Sequence, residues 1–153
     1  MKISTENLVV RYPGRTTAAL DGVTMSAGSG SLYSVIGPNG SGKSTLMRAL
    51  LGTAKCESGS ATLNDRPITR WKRPDLARAV GAVSQSESIA FPLPVRELVG
   101  MGRYPHLGAL SSPSRADREA VDRALEACDL GPLADRDATT LSGGEFQRAR
   151  IAR

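Results

Sequence analysis

The sequence predicts an α/β fold organised around one strand, loop and helix between Leu32 and Leu51. Residues 32–36 form a short apolar run that predicts a buried strand, and the apolar spacing of residues 46–51 predicts a helix. The intervening residues 37–44 match the phosphate-binding pattern G-x-x-x-x-G-K-[ST], in the strand and helix context that the pattern requires. We therefore expect an α/β core that binds a nucleotide.

The chemistry of this loop suits a polyphosphate, which needs many hydrogen-bond donors at short range. Gly37, Gly40 and Gly42 lack a Cβ atom, so the backbone can turn its amides inward and approach phosphate oxygens closely. The helix that follows directs its unpaired N-terminal amides to the same point. In this pattern Lys43 reaches the β- and γ-phosphates, and the Ser44 hydroxyl contacts Mg²⁺.

Length and composition are those of one globular domain. The 153 residues are 40% hydrophobic and 23% charged, and no apolar stretch approaches the length of a membrane span. The net charge is +5, but only 4% of the residues are aromatic, so no stacking surface for nucleic acid is predicted. The first residues do not resemble a signal peptide, and Cys56 and Cys128 lack metal-ligand spacing. We expect a cytosolic chain with two free thiols and no nucleic-acid partner.

The N-terminal segment is typical of two strands joined by a turn. Residues 3–11 and 19–25 favour extended structure, and the turn signals fall at 12–15. Tyr12 lies at this turn, where its ring could cover the core or stack on a purine. Residue type alone favours a core-covering tyrosine.

Between the loop helix and residue 90, the pattern alternates strand, helix and strand. A strand is predicted over 60–63 with a turn at 64–65, and a short helix over 74–79. The apolar run 80–83 predicts a second buried strand, which delivers Gln85 at its C-terminal end. Ligands bind at that end of open α/β sheets, so the Gln85 amide oxygen is a candidate contact for a metal ion or its water.

From residue 90 onward the pattern is helical. The spacing of Val95, Leu98 and Val99 predicts a short helix that ends near Gly102. Ser114 is followed three residues later by an aspartate, a pattern that predicts a capped amphipathic helix.

The final segment begins with a capping box. Ser142 and Glu145 form the S-x-x-E pattern, which predicts a helix through Arg153. A well-capped helix is the simpler interpretation. However, Gly143 and Gly144 leave the helix N-terminus bare, which makes a second potential anion site.

Taken in order, the phosphate loop, Gln85 and the capping-box segment resemble the nucleotide-binding subunit of an ABC transporter over the whole chain. This resemblance implies a P-loop NTPase of the ABC ATPase type, incomplete at the C-terminus. Residues 1–89 would form an antiparallel β subdomain with the P-loop α/β core, and 90–153 a helical subdomain that ends in the signature helix. The implied nucleotide-binding residues are Tyr12, Gly37, Pro38, Asn39, Gly40, Ser41, Gly42, Lys43, Ser44 and Thr45, and the implied signature residues are Leu141, Ser142, Gly143, Gly144 and Glu145.

The resemblance further implies ATP and Mg²⁺ as ligands and a head-to-tail dimer with a second copy of the chain. Ser44 and Gln85 would contact Mg²⁺, Tyr12 would stack on adenine, and Ser142 and Gly144 would contact the γ-phosphate bound by the other copy. The loop after Gln85 would dock on transmembrane permease subunits, with a periplasmic or extracellular binding protein as an indirect partner. The implied location is the cytoplasmic face of the inner membrane, as a peripheral subunit.

Two further segments resemble one group within the family. Residues 91–98, FPLPVREL, and 101–106, MGRYPH, are similar to the ATPases of importers for iron-siderophore, haem or cobalamin. The alternative is that the second segment is a surface loop without a role in substrate choice.

The resemblance also predicts which of the family's catalytic elements residues 1–153 do not contain. In the family, a strand ending in a metal-supporting aspartate, the catalytic glutamate and a histidine-bearing loop follow the signature helix, whereas this sequence ends at Arg153 within that helix. His106 belongs to the helical region and is not expected to replace the histidine. We expect these residues alone to contain no catalytic group, to be poorly stable and to hydrolyse ATP negligibly. A non-transport ABC ATPase and a non-catalytic nucleotide-binding remnant remain the alternatives.

Overall fold

A computed structural model describes residues 1–85, 87–108 and 111–153. The chain divides into two compact units, Met1–Leu76 and Ala77–Arg153. The subdomain division expected from the sequence lies between residues 89 and 90 and stays a prediction. In the part of the chain that the structure covers, no helix has the length and apolar character needed to cross a membrane.

Four antiparallel strands build the sheet of the first unit, namely β1 (Lys2–Val10), β2 (Leu20–Gly28), β3 (Ser58–Leu63) and β4 (Arg66–Pro67). The strand order is β2-β1-β3-β4. Asn64 and Asp65, which both have positive φ, turn the chain tightly between β3 and β4. This sheet confirms the predicted antiparallel strands and the predicted turn at 64–65.

Helix α1 (Lys43–Leu50) follows the phosphate loop and packs on strands β1 and β3. Its buried side chains are Thr45, Leu46, Ala49 and Leu50. Leu8 and Leu63 of the sheet are fully buried in the same core. The helix that the apolar spacing of residues 46–51 predicts is therefore present and packs on the sheet.

Two predicted strands are absent from the described residues, so those predictions are wrong for this structure. Residues 32–36 and 80–83 have no strand pairing, and Leu32 and Ile36 are 96% and 90% exposed. A buried parallel strand needs neighbours that bond its backbone on both sides. No described segment of this chain pairs with either run, and the apolar character alone cannot supply the missing hydrogen bonds.

The second unit is built from helices. Helix α2 (Arg73–Ala79) includes the boundary between the units, and α3 (Val95–Gly100), α4 (Arg115–Ala127) and α5 (Gly143–Ala152) follow it. A 3-10 helix over Met101–His106 extends α3 past its predicted end. The core of this unit contains Leu93, Val95, Leu98, Val99, Val121, Leu125, Leu130, Ala134, Ala138 and Ala149.

Backbone hydrogen bonds join the start of α3 to the segment that precedes α5. The Ala138 amide donates to the Leu93 carbonyl at 2.9 Å, and the Val95 amide donates to the Arg136 carbonyl at 3.0 Å. The Arg136 guanidinium also donates to the Thr140 carbonyl at 2.9 Å. These contacts fix the chain just before the capping box.

Candidate functional site

The phosphate loop lies at the N-terminus of α1, where Gly42 is the capping residue. Gly42 has φ of 90°, a left-handed conformation that favours glycine. A Cβ atom here would overlap the Ala19 carbonyl oxygen and lie 2.8 Å from Leu20 Cδ2. Both the backbone conformation and the close approach of β2 therefore require glycine at the last position before α1.

Lys43 folds back across its own loop. Its Nζ atom donates to the Gly37 and Pro38 carbonyl oxygens at 2.8 and 2.7 Å. The Ser41 amide donates to the Pro38 carbonyl at 3.3 Å, which closes the loop as a turn. The positive charge is thus held at the mouth of a loop whose residues 37–41 are exposed.

The other side chains of the loop divide between solvent and core. The Ser44 hydroxyl is exposed at the start of α1, where a hard cation such as Mg²⁺ can reach its oxygen. Thr45 is buried, and its Oγ1 lies 3.4 Å from the Tyr12 hydroxyl. Hydrogen bonds from Thr45 and Arg48 lower the pKa of the Tyr12 hydroxyl below its ordinary value. The structure therefore places Tyr12 beside the phosphate-loop helix.

This tyrosine also lines a cavity of about 570 Å³. Residues 10–15 and 55–57 line it, including Tyr12 and Cys56. Burial raises the pKa of the Cys56 thiol, and Cys56 and Cys128 are both free cysteines. Arg48 and residues 55–57 are neighbours of Tyr12 that the sequence does not predict, because no local pattern joins segments so far apart in the chain.

The second candidate anion site is the N-terminus of α5. The Ser142 side chain accepts a hydrogen bond from the Glu145 amide at 3.3 Å, and the Glu145 carboxylate accepts one from the Ser142 amide at 2.7 Å. The side chain and the amide of Ser142 lower the pKa of Glu145, so this carboxylate is ionised at neutral pH. The predicted capping box is confirmed.

The glycines within this capping box are open to solvent. Gly143 and Gly144 are exposed, and a Cβ atom on either would meet no neighbour within 4 Å. Leu141, by contrast, packs against the core of the second unit and anchors the segment. An anion could therefore approach the first turn of α5 without displacing a side chain.

Gln85 belongs to the second unit and is exposed. On either side of it along the chain, Ser84 accepts a hydrogen bond from Arg150 of α5, and Glu87 contacts both Arg150 and Arg153, the C-cap of that helix. Of the loop that follows Gln85, residue 86 lies outside the described residues. The predicted site residues thus fall into two sets, one around the phosphate loop and one that contains Gln85 and the capping box.

Comparison with known proteins identifies relatives across almost the whole chain. A family model described as ABC transporter matches residues 20–153. A hemin import ATP-binding protein of Escherichia coli O157:H7 is 38% identical over 99% of this chain and 56% of its own length. A manganese transport system ATP-binding protein of Listeria monocytogenes is 35% identical over 97% of this chain and 60% of its own length. The chain therefore spans little more than half the length of these curated relatives.

Solved structures give the same result for the fold. A metal-chelate type ABC transporter in an inward-facing conformation superposes with a TM-score of 0.81 at 31% identity, over 98% of this chain and 54% of that one. cbiO1 from Clostridium perfringens, part of the transporter complex cbiONQ, also gives 0.81, at 29% identity over 98% of this chain and 59% of that one. These similarities confirm the predicted fold class.

Proposed function

The chain belongs to the ABC transporter family, and from this membership we propose that it forms the nucleotide-binding part of a transport ATPase. The observation that carries the proposal is the loop before α1, where Gly42 adopts its left-handed conformation and Lys43 is held at the mouth. A backbone cradle, a helix N-terminus and one ammonium group together suit the phosphates of ATP.

In the proposed complex, Lys43 releases the Gly37 and Pro38 carbonyls and donates to the β- and γ-phosphates. The purine ring stacks on Tyr12, supported by the cavity that this residue lines. Ser44 and Gln85 would hold Mg²⁺, which neutralises phosphate charge when bound. Hydrolysis itself would require a group that positions or activates the attacking water, and none of the residues of the proposed site has that role.

The partner of this site would be a second copy of the chain, bound head to tail. The open glycines at the start of α5 support this proposal, since a helix N-terminus with exposed amides favours an anion. Ser142 and Gly144 would donate to the γ-phosphate held by the phosphate loop of the other copy. Dimer closure on ATP would then drive transmembrane permease subunits at the cytoplasmic face of the membrane, with a binding protein that delivers the cargo.

The exposed aromatic residues that follow Gln85 support a permease contact. Phe91 and Tyr104 are 61% and 65% exposed, although large aromatic side chains are usually buried. Both lie in the segments that resemble importers of iron-siderophore, haem or cobalamin, and the name of the E. coli relative states hemin import. We propose a chelated iron, haem or cobalamin as the transported substrate.

ATP binding is tested in the complete reading frame by titration calorimetry of Lys43→Ala, with Lys72→Ala as the matched control. Lys72 is exposed and lies outside the phosphate loop. Because charge-assisted hydrogen bonds contribute about 1.5–3 kcal/mol, Lys43→Ala should weaken ATP binding by roughly tenfold or more. Unchanged affinity in Lys43→Ala would overturn the assignment of the loop.

The transported substrate is tested by uptake into a deletion strain that carries the complete gene. Labelled ferric siderophore, haem, cobalamin and manganese are compared, because one relative is named for manganese transport. Gene-dependent uptake of one of the first three supports the proposed class. Gene-dependent uptake of manganese alone would refute it while leaving the nucleotide site intact.

A further inference from the structure

Glu87, in the second unit, contacts two arginines, namely Arg150 on helix α5 and Arg153 at the C-cap of that helix. Arg153 Nη1 donates to Glu87 Oε1 at 2.6 Å, and Nη2 donates to Glu87 Oε2 at 2.8 Å. Arg150 Nε lies 3.6 Å from Glu87 Oε2. The contact with Arg153 is bidentate, the arrangement in which a planar guanidinium fixes both the position and the orientation of a carboxylate.

The three side chains differ in burial. The Arg150 side chain is only 5% exposed, and those of Arg153 and Glu87 are 24% and 28% exposed. Arg150 also donates to Ser84 Oγ at 3.2 Å and to Gln147 Oε1 at 3.0 Å. Because two cations face one carboxylate, loss of the Glu87 charge would leave two guanidiniums close together, one of them buried, without the negative charge that separates them.

The main chain at the C-terminal end of α5 also packs closely against Gly102. Gly102 lies so close to the Arg153 carbonyl oxygen that a Cβ atom on Gly102 would overlap it. The main chain of Arg153 therefore lies against the 3-10 helix that follows α3, while its side chain binds Glu87.

The positions of these residues along the chain give the ion pairs their functional meaning. Ser84 and Glu87 lie on either side of Gln85, the proposed Mg²⁺ contact. Arg150 lies on α5, whose first turn carries the open glycines 143 and 144, and Arg153 is the C-cap of the same helix. The hydrogen bonds thus connect the Gln85 loop directly to the helix that would contact ATP in the other copy.

We propose that Glu87 is a positioning residue, which ties the Gln85 loop to α5 so that the two move as one body when ATP binds and is hydrolysed. This inference rests on the proposed ATPase function. Glu87 touches neither nucleotide nor metal in this scheme. It acts by holding Gln85 and the N-terminus of α5 in a fixed relation within one subunit.

The test uses the complete protein with its permease subunits and compares Glu87→Gln with Glu119→Gln. Glu119 also pairs with an arginine, Arg115, at 2.8 Å, but that arginine is 89% exposed on α4. Glu87→Gln keeps the shape of the side chain and removes its charge. We expect its kcat for ATP to fall about tenfold with KM changed less than twofold, whereas Glu119→Gln retains both values.

Retention of the negative charge separates positioning from simple destabilisation. Glu87→Asp keeps a carboxylate that faces both Arg150 and Arg153, so it should retain more of the wild-type kcat than Glu87→Gln does. An unchanged kcat in Glu87→Gln, or a loss that only follows the unfolded fraction in a thermal melt, would overturn the proposal.

Amide hydrogen exchange gives a readout that does not depend on ATP turnover. Without nucleotide, Glu87→Gln should speed exchange of residues 84–88 and of the last turns of α5, where Arg150 and Arg153 lie, by a similar factor, and Glu119→Gln should change neither segment. If the protein neither binds nor hydrolyses ATP, the proposed function fails, yet this exchange experiment still decides whether Glu87 ties the two segments together. Faster exchange in only one segment would contradict the linkage.

Discussion

The Lys43 ammonium lies 2.8 Å from the Gly37 carbonyl oxygen, so the phosphate loop binds its own lysine across the mouth that a phosphate would enter. The Pro38 carbonyl accepts a second hydrogen bond from the same Nζ. Two carbonyl dipoles therefore hold the cation in the loop. A phosphate must compete with these carbonyls, but it carries full negative charge and offers the stronger charge-assisted bond.

Gly42→Ala tests whether the close approach of Ala19, the residue before β2, to Gly42 constrains the phosphate loop, with Gly40→Ala as the control. Both glycines have positive φ, but only a Cβ on Gly42 would overlap the Ala19 carbonyl, whereas Gly40 has no neighbour within 4 Å. Both variants should lose about 1 kcal/mol of stability from backbone strain, and Gly42→Ala should lose more because the loop must move. Chemical denaturation measures this difference. Equal losses in the two variants would show that the Ala19 contact does not constrain the loop.

The sequence predicts the parts of this protein whose structure depends on local chemistry. The glycines of the phosphate loop permit the backbone conformation that this loop adopts. Ser114 and Ser142 each accept a hydrogen bond from the helix amide three residues later. These elements can therefore be predicted from short sequence patterns. The runs 32–36 and 80–83 show the limit of such reasoning. Their residues favour strands, but a strand exists only where another segment pairs with it, and pairing is a property of the whole fold.

The same limit applies to the candidate site. Tyr12 was a candidate from its position at a turn, yet its neighbours Thr45 and Arg48 come from a helix that no local pattern connects to it. The contact of Glu87 with Arg153 is likewise formed by residues distant in sequence, and neither residue has a motif. Long-range ion pairs are determined by packing, which composition and periodicity do not encode.

Asp117 should make the stability of α4 dependent on pH in the acid range. Hydrogen bonds from Ser114 and then from Arg103 lower its pKa to about 2 from an ordinary value of 3.8. Because the folded state holds the proton less tightly than the unfolded state, the stabilisation is complete above pH 3.8 and is lost as the pH falls from 3.8 towards 2. Urea denaturation of wild type and Asp117→Asn should show a stability difference at pH 6 that narrows by pH 3. A difference that stays constant over this range would contradict the assignment.

Tyr12 should contribute to nucleotide binding through its ring and not through its hydroxyl. The hydroxyl lies 3.4 Å from Thr45 Oγ1, at the long end of a hydrogen bond, whereas base stacking on an aromatic ring contributes about 1–3 kcal/mol. Tyr12→Phe should therefore bind ATP within about twofold of wild type, and Tyr12→Ala should bind it at least fivefold more weakly. Titration with a fluorescent ATP analogue measures both. Equal loss in the two variants would assign the effect to the Thr45 contact instead of stacking.

Ser142 and Ser114 provide a matched pair for separating helix capping from nucleotide recognition. Each side chain accepts a hydrogen bond from the amide three residues later, at 3.3 Å for Ser142 and 3.2 Å for Ser114, and each helix has a complete capping box. Replacement of either serine by alanine should cost about 1 kcal/mol of stability, because a helix amide loses its acceptor. Only Ser142→Ala should also weaken dimerisation driven by a non-hydrolysable ATP analogue, since only α5 carries open glycines in its first turn. Analytical ultracentrifugation of the complete protein compares the two variants, and normal dimerisation of Ser142→Ala would remove Ser142 from the proposed contact with the γ-phosphate.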